Sequence, residues 1–273
     1  MQINCKGKLI DLSHPKVMGI LNITPDSFYD GGRNNRMDNA LSKVEGMLKE
    51  GAFFIDIGGV STRPGSEAVS EEEELSRVVP TVEMILKNFP EALLSVDTYR
   101  TKVARETVGA GAALINDISA GTLDGSLLKT VAELKVPYIL MHMQGTPQTM
   151  QLAPSYQDVV LEVNHFFSEK IIELKNSGIN DIILDPGFGF GKTVEHNYQL
   201  MKHLDLIGIG NYPLLAGVSR KSMITKLLNL KPAEALNGTS LLNFYALQKG
   251  AAILRVHDVK EAVEAIRIWE MLS

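Results

Sequence analysis

Residues 53–98 read FFIDIGGVSTRPGSEAVSEEEELSRVVPTVEMILKNFPEALLSVDT, and the hydrophobic period changes twice within them. The first seven residues are a nearly unbroken apolar run interrupted by Asp56, and the last six are a second run that carries Asp97. Between them Leu75, Val79, Val82, Ile85 and Phe89 recur every three or four positions, the spacing of one face of a helix. Ser70 followed by Glu71 to Glu74 places a capping side chain and negative charge where a helix begins, and solvated glutamates are expected there. Apolar runs of strand length suit strands covered on both faces, so the stretch reads as strand, crossover helix and parallel strand.

The same unit recurs in both directions. Runs at 17–24, 113–118, 138–143, 181–186, 213–218 and 252–257 are apolar and of strand length. Val259, Val263, Ile266 and Trp269 form a second helical stripe, and Gly51, Gly178 and Gly250 sit where helices should stop. Eight strand-then-helix units with no linker close most economically as one α/β domain over 1–273, a single-domain (β/α)8 TIM barrel. An open doubly wound sheet is the alternative topology. Ile3, Cys5, Leu9 and Ile10 around Lys6-Gly7-Lys8 read as a short N-terminal β-hairpin closing the barrel floor. In such a barrel every loop that follows a strand lies at one end, and function belongs there.

Composition narrows the function. In 273 residues, 27 Lys and Arg against 32 Asp and Glu leave a formal net charge of −5, which argues against nucleic acid as a partner. No apolar run reaches the roughly 18 residues that span a bilayer, so no membrane partner is expected. The single Cys5 can form no internal disulfide, and the expected compartment is the reducing cytoplasm.

Costly polar residues cluster at the strand ends. Asn22 ends the first run and Asp56 lies in the second, followed by Ser61-Thr62-Arg63-Pro64-Gly65. Asp97 ends the third, Asn116 and Asp117 the fourth, His142 the fifth and Asp185 the sixth; Ser219-Arg220-Lys221-Ser222 follow the seventh, and Arg255 and His257 end the eighth. One such residue would be unremarkable, for instance as a helix cap. Carboxylates, an amide and a lysine converging on one mouth form donors and acceptors suited to a flat, nitrogen-rich heterocycle. Asn22, Arg63, Arg255 and His257 would gather where first and last strands meet, a setting for phosphate because arginine offers a planar fork.

The glycine-rich run from Gly187 to Thr193 lacks the glycine a phosphate-cradling P-loop needs five positions before Gly191, where Pro186 stands. It reads instead as a tight turn presenting Phe188 or Phe190 at the mouth, with Lys192 solvated. Asp30-Gly31-Gly32 and Gly58-Gly59 fit either a mobile lid or plain turns. Met141 and Met143 fit either core filling or ligand contact, and His165, His196 and His203 have no metal-ligand spacing and read as surface residues.

Taken together, Gly19 to Gly32, Asp56 to Gly65, Ser95-Val-Asp-Thr98, Ile115-Asn-Asp117, Ile139 to Met143, Leu184 to Lys192, Gly217 to Met223 and Arg255-Val-His-Asp258 resemble the bacterial dihydropteroate synthases over nearly the whole chain. Tyr29 and Val60 depart from residues often found in that family, Ser and Glu, in the first and second loops. Only one helical segment follows His257, so no fused kinase or aldolase is expected.

The resemblance implies a sulfonamide-targeted transferase of folate biosynthesis. It condenses 6-hydroxymethyl-7,8-dihydropterin diphosphate with 4-aminobenzoate to 7,8-dihydropteroate and pyrophosphate, using Mg²⁺. Carried onto matching positions, it assigns Asp97, Asn116, Met141, Asp185 and Lys221 to the pterin, and Asn22, Thr62, Arg63, Arg255 and His257 to the diphosphate, with Asn22 holding the metal. Phe28, Thr62, Pro64, Phe190, Ser219, Lys221 and Ser222 would meet 4-aminobenzoate, and Asp97, Arg63 and Lys221 would act in catalysis. Heterolysis of the methylene–oxygen bond leaves a cation the ring delocalises and an anion, so an SN1-like step is expected, with electrostatic stabilisation as its main source of rate. A methyltetrahydrofolate-dependent methyltransferase would leave the diphosphate residues without purpose, and a catalytically silent pterin-binding barrel would be exposed by a pyrophosphate assay. The family also implies a homodimer through the last helices, where Tyr245 and Trp269 either supply interface area or pack on the barrel.

Overall fold

A computed structural model describes residues 1–23, 33–60, 69–208 and 210–273, with the backbone alone for 33–36. Eight parallel strands close a barrel: β3 (Lys16–Asn22), β4 (Phe54–Gly58), β5 (Leu93–Asp97), β6 (Leu114–Asp117), β7 (Tyr138–Met141), β8 (Ile182–Asp185), β9 (Leu214–Ala216) and β10 (Ala251–Val256). β10 pairs with both β9 and β3, which completes the ring and excludes the open sheet. Each strand falls within a residue of the corresponding apolar run.

The helices that follow the strands are α1 (Arg33–Glu50), α2 (Glu71–Asn88), α3 (Thr101–Gly109), α4 (Leu127–Leu134), α5 (Val159–Asn176), α6 (Val194–Lys202), α7 (Ser222–Leu228), α8 (Leu236–Gln248) and α9 (Val259–Glu270). Gly51, Gly178 and Gly250 take positive φ just past α1, α5 and α8, the left-handed turn that ends a helix. Ser70 caps α2 by accepting from the Glu73 N–H, as its position suggests. The buried face of α2 carries Val82 and Ile85 as expected, with Val78 buried in place of half-buried Val79 and with Leu75 and Phe89 half-buried against the core. Glu74 corrects the expectation of a wholly solvated start: it is buried and paired with Arg100 Nη1 at 2.6 Å.

β1 (Gln2–Cys5) and β2 (Lys8–Asp11) form the expected antiparallel hairpin, turning at Lys6-Gly7, where both φ values are positive as a two-residue hairpin loop requires. Ile3, Cys5, Ile10 and Leu12 pack with Met18, Phe54, Leu114, Ile139, Ile183, Leu215 and Ile253 inside the barrel. The Asn4 N–H also donates to Asp181 Oδ1, just before β8. The floor is therefore an apolar plug, and a second core fills the space between strands and helices.

Candidate active site

Side chains alternate along a strand, so the residue two positions beyond each floor residue faces the same interior, nearer the C-terminal end. Two positions past Phe54, Leu114, Ile139, Ile183, Leu215 and Ile253 stand Asp56, Asn116, Met141, Asp185, Gly217 and Arg255. The half-buried Leu93 is followed on the same face by Ser95 and Asp97. An apolar floor thus gives way to a polar mouth in one step of the pleat.

One ion-pair network crosses this mouth. Arg255 donates from Nε to Asp56 Oδ2 at 2.6 Å and from Nη2 to Asp97 Oδ2 at 3.0 Å, although β3 and β4 separate β10 from β5 in the ring. Asn116 Nδ2 donates to the same Asp56 oxygen at 3.0 Å, while buried Asp56 Oδ1 has no partner among the described residues. Burial pushes the Asp97 carboxyl up to about 7 despite the opposing pull of Arg255. Burial works against the Arg255 charge too, but Asp56 and Asp97 outweigh it and hold the guanidinium above its ordinary value.

Asp185 and Lys221 occupy the other side. Asp185 Oδ1 accepts from the Gly187 N–H at 2.8 Å, while burial raises its carboxyl against the attraction of Lys221. Lys221 stands at the N-cap of α7 but does not cap it with its side chain. Its Nζ donates to the Phe188 carbonyl at 2.6 Å and lies 4.8 Å from the centre of the Phe190 ring. Burial pulls this ammonium down to about 8, with Asp185 resisting. A Cβ at Gly217 would sit 3.7 Å from Lys221 Nζ and 3.9 Å from Arg255 Cβ, so this glycine keeps space open between the two cations.

Met141 is buried and paired in register with Asp185. Asn22 ends β3 opposite Gly58, where a Cβ would lie 3.5 Å from Asn22 Oδ1 and 3.8 Å from Asp97 Cβ. The buried Ser219 hydroxyl lies 3.0 Å from His257 Nδ1 and accepts from the His257 N–H, which joins the ends of β9 and β10. Ser222 opens α7 and is exposed. Phe28, Thr62, Arg63 and Pro64, with Tyr29, lie outside the described residues. Among the described residues no group of three His, Cys, Asp or Glu could hold a metal ion.

One reading needs correction, and two residues that do stand at strand ends turn away from the mouth. Lys192 is buried rather than solvated, and its Nζ lies 2.9 Å from His142 Nδ1 and 3.0 Å from the Gly187 and Phe190 carbonyls. Asp117 belongs to the outward set, one residue off Asn116, and accepts from Ser119, Gly121 and the Tyr138 hydroxyl. His142 likewise turns outward, edge-on to Phe166 at 4.9 Å. Of the two aromatics expected at the mouth, Phe188 is fully buried in the outer core and Phe190 is half-buried beside Lys221. Gly217 has no role in the sequence reading and Asp56 none beyond its place among the strand-end carboxylates, yet the period of two that places Asn116 above Leu114 places both equally.

The chain matches the family model described as pterin binding enzyme over residues 18–257. It is 51% identical over 272 residues to the dihydropteroate synthase of Escherichia coli (strain K12), covering 99% of this chain and 96% of that one. Among solved structures, Yersinia pestis dihydropteroate synthase in a sulfonamide drug complex superposes with a TM-score of 0.92 at 48% identity, covering 100% and 99% of the two chains. Xanthomonas albilineans dihydropteroate synthase with 4-aminobenzoic acid gives 0.92 at 42% identity, covering 99% and 97%. With barrel, polar mouth and near full-length similarity in agreement, the chain belongs to the dihydropteroate synthase family of pterin binding enzymes.

Proposed function

We propose that the barrel mouth condenses 6-hydroxymethyl-7,8-dihydropterin diphosphate with 4-aminobenzoate to give 7,8-dihydropteroate and pyrophosphate, and that the diphosphate departs before the amine attacks. The observation that carries this reading is the Arg255 network with Asp56, Asp97 and Asn116, standing across Gly217 from Lys221. It puts carboxylates, an amide and two cations around one space, a set that reads a heterocycle bearing both N–H donors and ring acceptors.

In this assignment Asp185 accepts from the amidine-like N–H groups of the pterin, Lys221 donates to its carbonyl and ring nitrogen, and Asn116 and Met141 complete the slot. Asp97 lies beside the methylene, where its negative charge favours the cation formed as the carbon–oxygen bond breaks and the electron pair leaves with the diphosphate. Arg255 and His257, with Thr62 and Arg63, hold the anion. The arylamine is neutral at pH 7, so its lone pair forms the new carbon–nitrogen bond without a general base, and the arylammonium that results passes one proton to solvent. Ser222 and the opening of α7 would receive the benzoate carboxylate, with Ser219, Phe190, Phe28 and Pro64 around its ring.

Asn22 fits Mg²⁺ as a hard oxygen donor, because this ion needs only one or two protein oxygens when substrate phosphates complete its shell. Bound there it would neutralise charge on the diphosphate. Single-turnover release of pyrophosphate from the pterin diphosphate, with and without 4-aminobenzoate and Mg²⁺, tests the reading. Release without the amine supports the dissociative order, strict dependence on the amine overturns that order, and no release with all three present overturns the activity.

The assembly we propose is a homodimer through the last helices. α7 and α8 approach closely at Gly238, where a Cβ would meet Ile224 and Leu228 side chains, and the outer faces of α7 to α9 expose Leu227, Leu228, Leu241, Tyr245 and Ile268. Trp269 is half-buried against the barrel, so Tyr245 is the aromatic available to such an interface. We place the activity in the cytoplasm on the lone, buried Cys5; among the described residues no helix is long and apolar enough to cross a membrane.

A further inference from the structure

Lys192 is the most deeply buried lysine outside the mouth, at 3% exposure, and nothing in the reaction above uses it. A desolvated ammonium is costly unless its protons are all engaged. Here they are: the Gly187 and Phe190 carbonyls at 3.0 Å, His142 Nδ1 at 2.9 Å and the His142 carbonyl at 3.3 Å offer four acceptors to three N–H groups. Burial brings Lys192 down to about 7 and His142 to about 2, so the shared proton rests on the lysine and His142 accepts.

The carbonyls come from both ends of one turn. That turn carries positive φ at Gly187, Gly189 and Gly191, a conformationally permissive sequence that does not by itself define one path. The same turn supplies the Gly187 N–H that holds Asp185, the Phe188 carbonyl that holds Lys221, and the Phe190 ring beside the Lys221 ammonium. Lys192 therefore lies behind every group that orients the acid and the amine of that half of the mouth.

We propose that Lys192 is a positioning residue for pterin recognition: its buried ammonium templates the turn at 187–190 against the end of β7 and so sets where Asp185 and Lys221 meet the ring. The inference rests on the assignment of those two residues to the pterin.

The test is calorimetric titration of the intact protein with 6-hydroxymethylpterin and, separately, with inorganic pyrophosphate and Mg²⁺, for wild type, Lys192→Met, Lys192→Arg, His142→Leu and Asp185→Asn. A small displacement of recognition groups predicts a loss of about tenfold or more in pterin affinity for Lys192→Met, with pyrophosphate affinity kept within about twofold. Lys192→Arg, which keeps the charge, should recover part of it, and adding Lys192→Met to Asp185→Asn should cost little more than Asp185→Asn alone. Unchanged pterin affinity, or equal loss of both ligands, overturns the proposal. If Lys192→Met does not fold, His142→Leu decides by the same two titrations: a loss confined to pterin supports the proposal and unchanged affinity overturns it. Asp185→Asn with undiminished pterin affinity would instead overturn the site assignment on which the inference stands.

Discussion

Arg255 serves two carboxylates at once, and this shapes what its removal does. Asp56 is fully buried with one oxygen unpartnered among the described residues, so deleting the guanidinium strands a charge in the barrel. Arg255→Ala should therefore weaken pyrophosphate binding and also destabilise the fold by about 3 kcal/mol or more, the scale for breaking a buried pair from one side. Urea unfolding alongside pyrophosphate titration checks this, and adding Asp56→Asn should return part of the lost stability but none of the binding. Lys221 makes a different prediction. Its ammonium, lowered to about 8 by burial, is charged below that pH and neutral above it. Pterin affinity in the free protein should fall as pH rises past about 8, beyond the fall near 7 that loss of the Lys192 charge brings, and Lys221→Met should bind weakly with the upper limb missing. Titration between pH 7 and 9.5 separates the two.

At the scale of elements, the turn after β8 is built around positions no side chain can enter. Gly187 has φ +68° and a Cβ there would come 2.0 Å from the His142 carbonyl oxygen. Gly46, inside α1, has nothing within 4 Å of its would-be Cβ among the described residues. Gly187→Ala should lose about 2 kcal/mol or more together with pterin affinity, whereas Gly46→Ala should gain about 0.5–1 kcal/mol with affinity unchanged; thermal unfolding and titration read both. The elements themselves were legible because each carries its own signal. The runs at 53–59 and 93–98 show strand apolarity, Ser70 and Gly51 punctuate helices, and Lys6-Gly7 marks a hairpin. The site was legible only where periodicity reached it. A period of two separates inward Asn116 from outward Asp117, so adjacency in sequence misleads and alternation does not. Lys192 was beyond reach: beside glycines and a helix cap it reads as a surface charge, and its burial depends on His142, fifty positions earlier in the chain.

For the whole molecule, the two ends of the barrel do different work, and so do its sides. The floor is closed by the hairpin and its apolar plug, which frees the mouth to hold costly polar groups that add nothing to core packing. Of the flanks, the one formed by α7 to α9 exposes large apolar side chains on three consecutive helices: Leu227 and Leu228, then Leu241 and Tyr245, then Ile268. Scattered exposed leucines need no explanation; the five side chains on these three successive helices are the surface on which the proposed dimer rests. α7 also begins at Ser222, immediately after Lys221, so burying its outer face in a dimer would steady the helix that carries the mouth's ammonium. Leu241→Glu, at 64% exposure, places a charge on that face without disturbing the barrel core. Wild type should sediment as a dimer and Leu241→Glu as a monomer. Because the described residues of the mouth come from one chain, the monomer should keep pyrophosphate affinity within about twofold while its melting temperature falls, since assembly stabilises by mass action. A wild type that sediments as a monomer at all concentrations would remove the interface and leave the site within each barrel untouched.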